Sequence, residues 1–158
     1  MALTNQQLIA FAAAINTEPN VAAFKAAGDD ASIAAYYNGN SGTDAWNTAV
    51  SGRDMDEAAD YTSYDSIVAG KRDAWALFVQ LAPRDMSKNK NRKVVTDVWG
   101  AATAASIAEN ILKACTRKAT RLEALFGGTV ASTGTVSATK LTFEGRVNDS
   151  DVAKALRG

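Results

Sequence analysis

The chain contains no histidine. That removes the commonest general base near neutral pH and the commonest metal ligand. Ser-His-Asp and Cys-His catalysis within the chain go with it, as do the usual Cys/His zinc sites. One thiol remains, Cys115, between Leu112 and Ala119 in an apolar helical context where a free cysteine is ordinarily buried. Nothing nearby suggests a stabilised thiolate beyond Lys118, and a lone cysteine makes no internal disulfide, which fits a reducing compartment. Carboxylates are the other candidates. Asp29 and Asp30 directly precede a helical pattern, where an aspartate caps the helix and favours its dipole. Asp54, Asp56 and Glu57 follow Ser51-Gly52 and read as the acidic first turn of a helix. Capping accounts for these groups better than a carboxylate-dependent reaction does. No Gly-x-Gly-x-x-Gly or Walker-type loop is present, and Gly127-Gly128 stands where glycine stops a helix. The expectation is a non-enzyme without catalytic, cofactor-binding or metal residues.

Two basic groups offer binding rather than catalysis. Segment 84–93 holds Arg84, Lys88, Lys90, Arg92 and Lys93, with Met86 as its one large apolar residue. Such a segment can touch DNA phosphates or an acidic subunit face. A solvated loop between two helices is the commoner role of a charge run, and the favoured one here. Lys113, Arg117 and Arg121 lie four residues apart, so on a helix they share one face, with Lys118 beside them. That face either lines a channel or docks a partner, or is simply exposed beside Glu123. The totals of 17 basic and 17 acidic residues give no global basic field, which argues against non-specific nucleic-acid binding as the main role.

The elements that must carry these residues read mainly as helices. Of the chain's 158 residues, 47% are hydrophobic, and runs such as Ala12-Ala13-Ala14 and Ala101-Ala102 favour helix while burying little area. Thr4 followed by Gln7 opens a helix over 5–15, with Leu8, Phe11 and Ile15 at helical spacing. Pro19 starts a second that Gly28 ends, and Asp29-Asp30 starts a third with Ile33, Tyr36 and Tyr37. Residues 38–42 are a turn-rich loop, Thr43-Asp44 caps a short helix holding Trp46 and Val50, and Met55–Ala59 is another helical segment. Two long helices follow, 63–82 and 93–126, the second bent or divided near Gly100. Trp75 and Trp99 fall on them at core spacing. After Gly127-Gly128 the β-branched residues of 129–147 predict a β-hairpin or two short strands, and Asn148 caps a short terminal helix. The fold class is therefore mainly α: a helical bundle with two long helices and several short ones, a C-terminal β-hairpin or extended arm, and a short terminal helix. As one domain it divides into a helical body (1–128), the arm (129–147) and the C-terminal helix (148–158). No apolar run is long enough to span a membrane, and Met1-Ala2-Leu3-Thr4-Asn5 lacks the basic and apolar regions of a secretory signal, so a chain made and kept in a cytoplasm is the simplest reading.

Residues 96–126, from Thr96-Asp97-Val98-Trp99-Gly100 through Lys113-Ala114-Cys115-Thr116-Arg117 to Leu125-Phe126, resemble a set of small tailed-phage proteins. So do Gly127-Gly128-Thr129, Phe143-Glu144-Gly145-Arg146-Val147 and Asp151-Val152. The opening Ala2-Leu3-Thr4-Asn5-Gln6-Gln7-Leu8 and Ile33-Ala34-Ala35-Tyr36-Tyr37-Asn38 are similar to that set's N-terminal part. A compact helical body with an extended β element resembles head–tail connector (adaptor or neck) proteins. The resemblance implies a structural virion protein made in the host cytoplasm and placed in the virion neck. It implies a homo-oligomeric ring below the portal, usually of twelve copies, that contacts portal and tail proteins and continues the channel for packaged DNA. In that setting Val130, Val136, Leu141, Phe143, Val147, Val152 and Leu156 form an inter-subunit arm that reaches a neighbour by strand addition, and the basic residues named above face DNA or a partner. The alternative is a small helical nucleic-acid-associated or regulatory binding protein.

Overall fold

The computed structural model describes residues 3–100 and 104–158. Met1, Ala2 and the Ala101-Ala102 run lie outside the described residues. In chain order the elements are α1 (Asn5–Thr17), a 3-10 turn (Pro19–Val21), α2 (Ala22–Ala27), α3 (Asp30–Asn38), β1 (Asn40–Trp46), α4 (Gly52–Glu57) and a second 3-10 segment (Tyr61–Ser66). There follow α5 (Ala69–Gln80), α6 (Asn89–Trp99), α7 (Ala105–Ala114), β2 (Thr116–Thr120), α8 (Arg121–Phe126), β3 (Gly128–Thr133), β4 (Val136–Leu141) and α9 (Asp149–Arg157).

The helix starts follow the capping chemistry of the sequence. The Thr4 side chain accepts from the Gln7 amide at 3.3 Å while the Gln7 side chain accepts from the Thr4 amide at 2.9 Å. Asp29 accepts from the Ser32 amide at the start of α3, Ser51 from that of Asp54 at the start of α4, and Asn148 from that of Asp151 at the start of α9.

The fold class is an α/β mixture and not the mainly helical bundle expected: among the described residues helix makes up 59% and a four-stranded mixed sheet 17%. The strand order is β2-β1-β4-β3. Two of these strands arise where helix or loop was expected. Residues 40–46, expected as loop and helix start, form β1, which runs parallel to β4 with Ala45 opposite Thr139. Burial explains this: Ala45 and Trp46 are both fully buried, and that outweighs the poor strand propensity of Asn40-Ser41-Gly42-Thr43-Asp44. The expected helix 93–126 is α6, α7, β2 and α8. Gly100 ends α6, and the Thr120/Glu123 capping box starts α8 afresh after β2. The expected helix 63–82 is shorter as well, because Ile67 and Val68 are extended between the 3-10 segment and α5. The hairpin after Gly127 forms as β3 and β4, turning at Gly134, whose φ of 59° suits a residue without a Cβ.

The chain makes two compact units, and the expected arm is divided between them. The first comprises Met1–Thr43, Lys118–Gly128 and Leu141–Gly158. Its core is Phe11, Ile15, Val21, Ile33, Leu122, Phe143, Val147 and Val152, with α8 and α9 packed on α1 and α3. Tyr37 meets Phe11 edge to face at 5.0 Å. Asn38 pairs with the main chain of Val147 in both directions, donating to its carbonyl at 2.7 Å and accepting from its amide at 3.0 Å. The second unit comprises Asp44–Arg117 and Thr129–Lys140. Its core holds Trp46, Met55, Trp75, Met86, Trp99, Ile111, Leu112 and Val136, with α6 packed on α5 and α7. Trp75 and Trp99 meet edge to face at 5.5 Å.

Asn38→Ala is expected to lower the unfolding free energy by about 2–4 kcal/mol, because it strips both main-chain groups of Val147 of their partner. Urea unfolding of the variant checks this, and a loss within about 0.5 kcal/mol, typical of an inert surface change, would contradict it.

Candidate functional site

The basic residues singled out in the sequence do not form one surface. Arg92 is buried, with 3% of its surface exposed. It lies on α6 with its guanidinium carbon 4.7 Å from the centre of the Trp46 ring. Nη1 donates to the carbonyls of Met86 and Ser87, both at 2.7 Å, and Nε donates to the Thr133 hydroxyl at 2.8 Å. Burial lowers its pKa and the nearby Asp85 carboxylate opposes that. Arg92 is thus a buried structural clamp, and the assignment of this residue to DNA or a partner is corrected. Arg84 donates from Nε to the Phe78 carbonyl at 2.9 Å and lies over the Phe78 ring at 4.6 Å. Lys88 pairs with Asp85 at 3.2 Å and Lys93 with Asp97 at 2.7 Å. Lys90 is exposed.

The second basic group is dispersed by the chain's own geometry. Lys113 lies on α7 and pairs with Glu109 at 2.7 Å, Arg117 lies in β2, and Arg121 starts α8. The spacing of four aligns residues only on a continuous helix, and β2 interrupts it.

Arg121 lines a cavity, an open cleft of about 420 Å³ in the first unit that also includes Thr17, Glu18, Tyr36, Tyr37 and Ser41. Its Nη1 donates to the Tyr36 carbonyl at 2.9 Å, and its guanidinium carbon lies 4.3 Å from the Tyr36 ring centre. Gly39 makes room for it, since a Cβ there would sit 2.5 Å from Nη1. Glu18 accepts from the Asn20 amide at 3.0 Å and from Asn20 Nδ2 at 2.6 Å. The Asn20 main-chain hydrogen bond is the main cause holding this carboxyl below its usual pKa, and Arg121 adds to it. Burial pushes the Tyr37 hydroxyl up to about 12, so it stays neutral. The cleft therefore sets Glu18 and Arg121 beside the hydroxyls of Thr17, Tyr36, Tyr37 and Ser41: a polar binding surface. Sequence reasoning found Arg121 but missed its companions Glu18, Tyr36 and Ser41, which come from distant segments with no local pattern to mark them.

Among the described residues no three or more His, Cys, Asp or Glu are grouped to hold a metal ion, and no helix is long and apolar enough to cross a membrane. Cys115 is fully buried, as its sequence context indicates.

The residues assigned to an inter-subunit arm are mostly interior. Val136 is buried in the core of the second unit, and Phe143, Val147 and Val152 in the core of the first. Leu156 packs against the first core, and Leu141 is half-buried. The exception is Val130, 69% exposed on β3. A free arm built from these seven residues is therefore corrected: β-branched composition marks strands, but it does not say whose core they enter.

Compared with protein-family models, curated proteins and solved structures, the chain matches none.

Arg92→Ala is expected to destabilise the fold by about 3 kcal/mol or more, because two carbonyls and a hydroxyl lose a charged donor. Arg92→Lys should recover less than half, since an ammonium cannot reproduce the planar fork over Trp46, whereas Lys90→Ala should stay within about 0.5 kcal/mol. Denaturant midpoints of the three variants decide it, and equal effects at positions 90 and 92 would contradict the clamp.

Cys115 gives a pH-dependent check. Burial first, and the Asp54 charge second, push its thiol up to about 12. In the unfolded chain a thiol ionises near about 8.5. Between these values the unfolded chain releases a proton that the folded chain keeps. The thiol's contribution is therefore intact below this window and is lost as pH rises through it, by at most about 1.4 kcal/mol per pH unit. Wild type should lose more stability than Cys115→Ala between about pH 8 and about pH 10. Identical losses would show that the thiol ionises in place.

Proposed function

We propose that this protein is a structural virion subunit of a tailed phage, a head–tail connector that acts by assembling with copies of itself as a ring below the portal and with portal and tail proteins. Two things support the reading. The first is the sequence resemblance, whose residues 96–126, 143–147 and 151–152 fall on α6, α7, β2, α8, the segment that docks Phe143 and Val147, and α9. The second, which carries the assembling part, is large apolar residues left outside both cores. Leu77 and Leu81 are 55% and 57% exposed, one turn apart at the end of α5, and Val68 at its start is 66% exposed. On α1, Ile9 is 72% exposed, and the helix has no charged residue from Asn5 to Thr17. A helix facing water ordinarily carries charge opposite its buried stripe, so these faces suit burial against other subunits.

A phage carrying a stop codon in the gene for this chain is expected to yield DNA-filled heads without joined tails under the electron microscope. Supplying the wild-type chain from a plasmid should restore plating, and Leu77→Asp together with Leu81→Asp should not. Normal infectious particles made without the chain would overturn the reading.

A further inference from the structure

We infer that the outer edge of β3 is a pairing surface for a second copy of this chain, joined antiparallel through β3 of each copy. This inference stands apart from the phage reading, since it concerns only the free protein in solution.

The two outer strands of the sheet differ in how they are protected. β2 carries Arg117 and Lys118 in five residues, and charged side chains are a common guard against edge-to-edge pairing. β3 is hydrogen-bonded on one side only, to β4, and reads Gly128-Thr129-Val130-Ala131-Ser132-Thr133. It has no charge, no proline and an exposed valine, and the uncharged stretch continues through the turn to Thr139. Neither charge nor proline guards this strand.

The edge is also held rigid. Trp46 donates from Nε1 to the Ala131 carbonyl at 2.8 Å, Arg92 donates to the Thr133 hydroxyl, and Ala131 packs against the core of the second unit. Ser132 and Ser137 hydroxyls meet at 2.5 Å across the hairpin. A strand already fixed in extended form loses little entropy when another strand joins it.

Charge selects the occupant. An edge with no charge gives a charged foreign segment nothing to pair with, whereas a second β3 meets it without repulsion. Antiparallel pairing is self-complementary for main-chain donors and acceptors about a twofold axis, and that axis sets the two exposed Val130 side chains near each other. The contact is isologous and therefore stops at two copies, so a ring would use other surfaces, such as the α1 and α5 faces.

Sedimentation of the purified chain across a concentration series tests this. Wild type is expected to be dimeric at high concentration, and Val130→Lys monomeric at the same concentration with an unchanged far-ultraviolet spectrum, since Val130 lies outside both cores. Leu77→Lys, on the exposed face of α5, should remain dimeric. Among Thr129→Cys, Val130→Cys and Ser132→Cys, at least one should give a disulfide-linked dimer on mild oxidation, while Leu77→Cys should not. A wild-type monomer at every concentration overturns the inference, and so does a dimer that Val130→Lys leaves intact.

Discussion

The second unit is organised around one buried cation. Taking a guanidinium out of water is costly unless its hydrogen bonds are replaced. Here Arg92 finds the carbonyls of Met86 and Ser87, the Thr133 hydroxyl and the face of Trp46. These partners come from the loop before α6, from the end of β3 and from the end of β1. Trp46 in turn donates to Ala131. The strand that sequence composition least suggests is thus held where α6 needs it. Sequence-distant elements must arrive together for any of these groups to be satisfied, which ties the unusual strand β1 to the helix that follows the 84–88 loop.

Much of the local structure was legible because it rests on interactions between near neighbours. The caps at Thr4, Asp29 and Asn148 depend on a side chain and an amide three residues on. What escaped were elements decided at long range. β1 is a strand because Ala45 and Trp46 are buried beside β4, not because of its turn-forming residues. β2 lay inside a helical reading of 93–126, although Thr120-Arg121-Leu122-Glu123 is itself the capping-box signature of a new helix start. That signal was present in the sequence and was outweighed by apolar spacing.

The candidate site was less legible than the fold. Charge in the sequence says nothing of burial, so Arg92 looked like its neighbour Lys90 although one is enclosed and the other exposed. The apparent stripe of Lys113, Arg117 and Arg121 depended on a helix that ends at Ala114. Arg121 takes its place beside Tyr36 and Glu18 only through the packing of α8 against α3. The features that support the proposed assembly are of another kind: apolar side chains left outside both cores, and a sheet edge without charge. Contact was expected of an arm of β residues, yet Val136, Phe143, Val147 and Val152 are buried, and Val130 is the exposed one.

The reading as a neck subunit is tested most directly by locating the chain in purified virions. Gold-labelled antibody against it, viewed by electron microscopy, should mark the junction of head and tail on intact particles. Purified infectious particles that contain none of the chain would contradict the account.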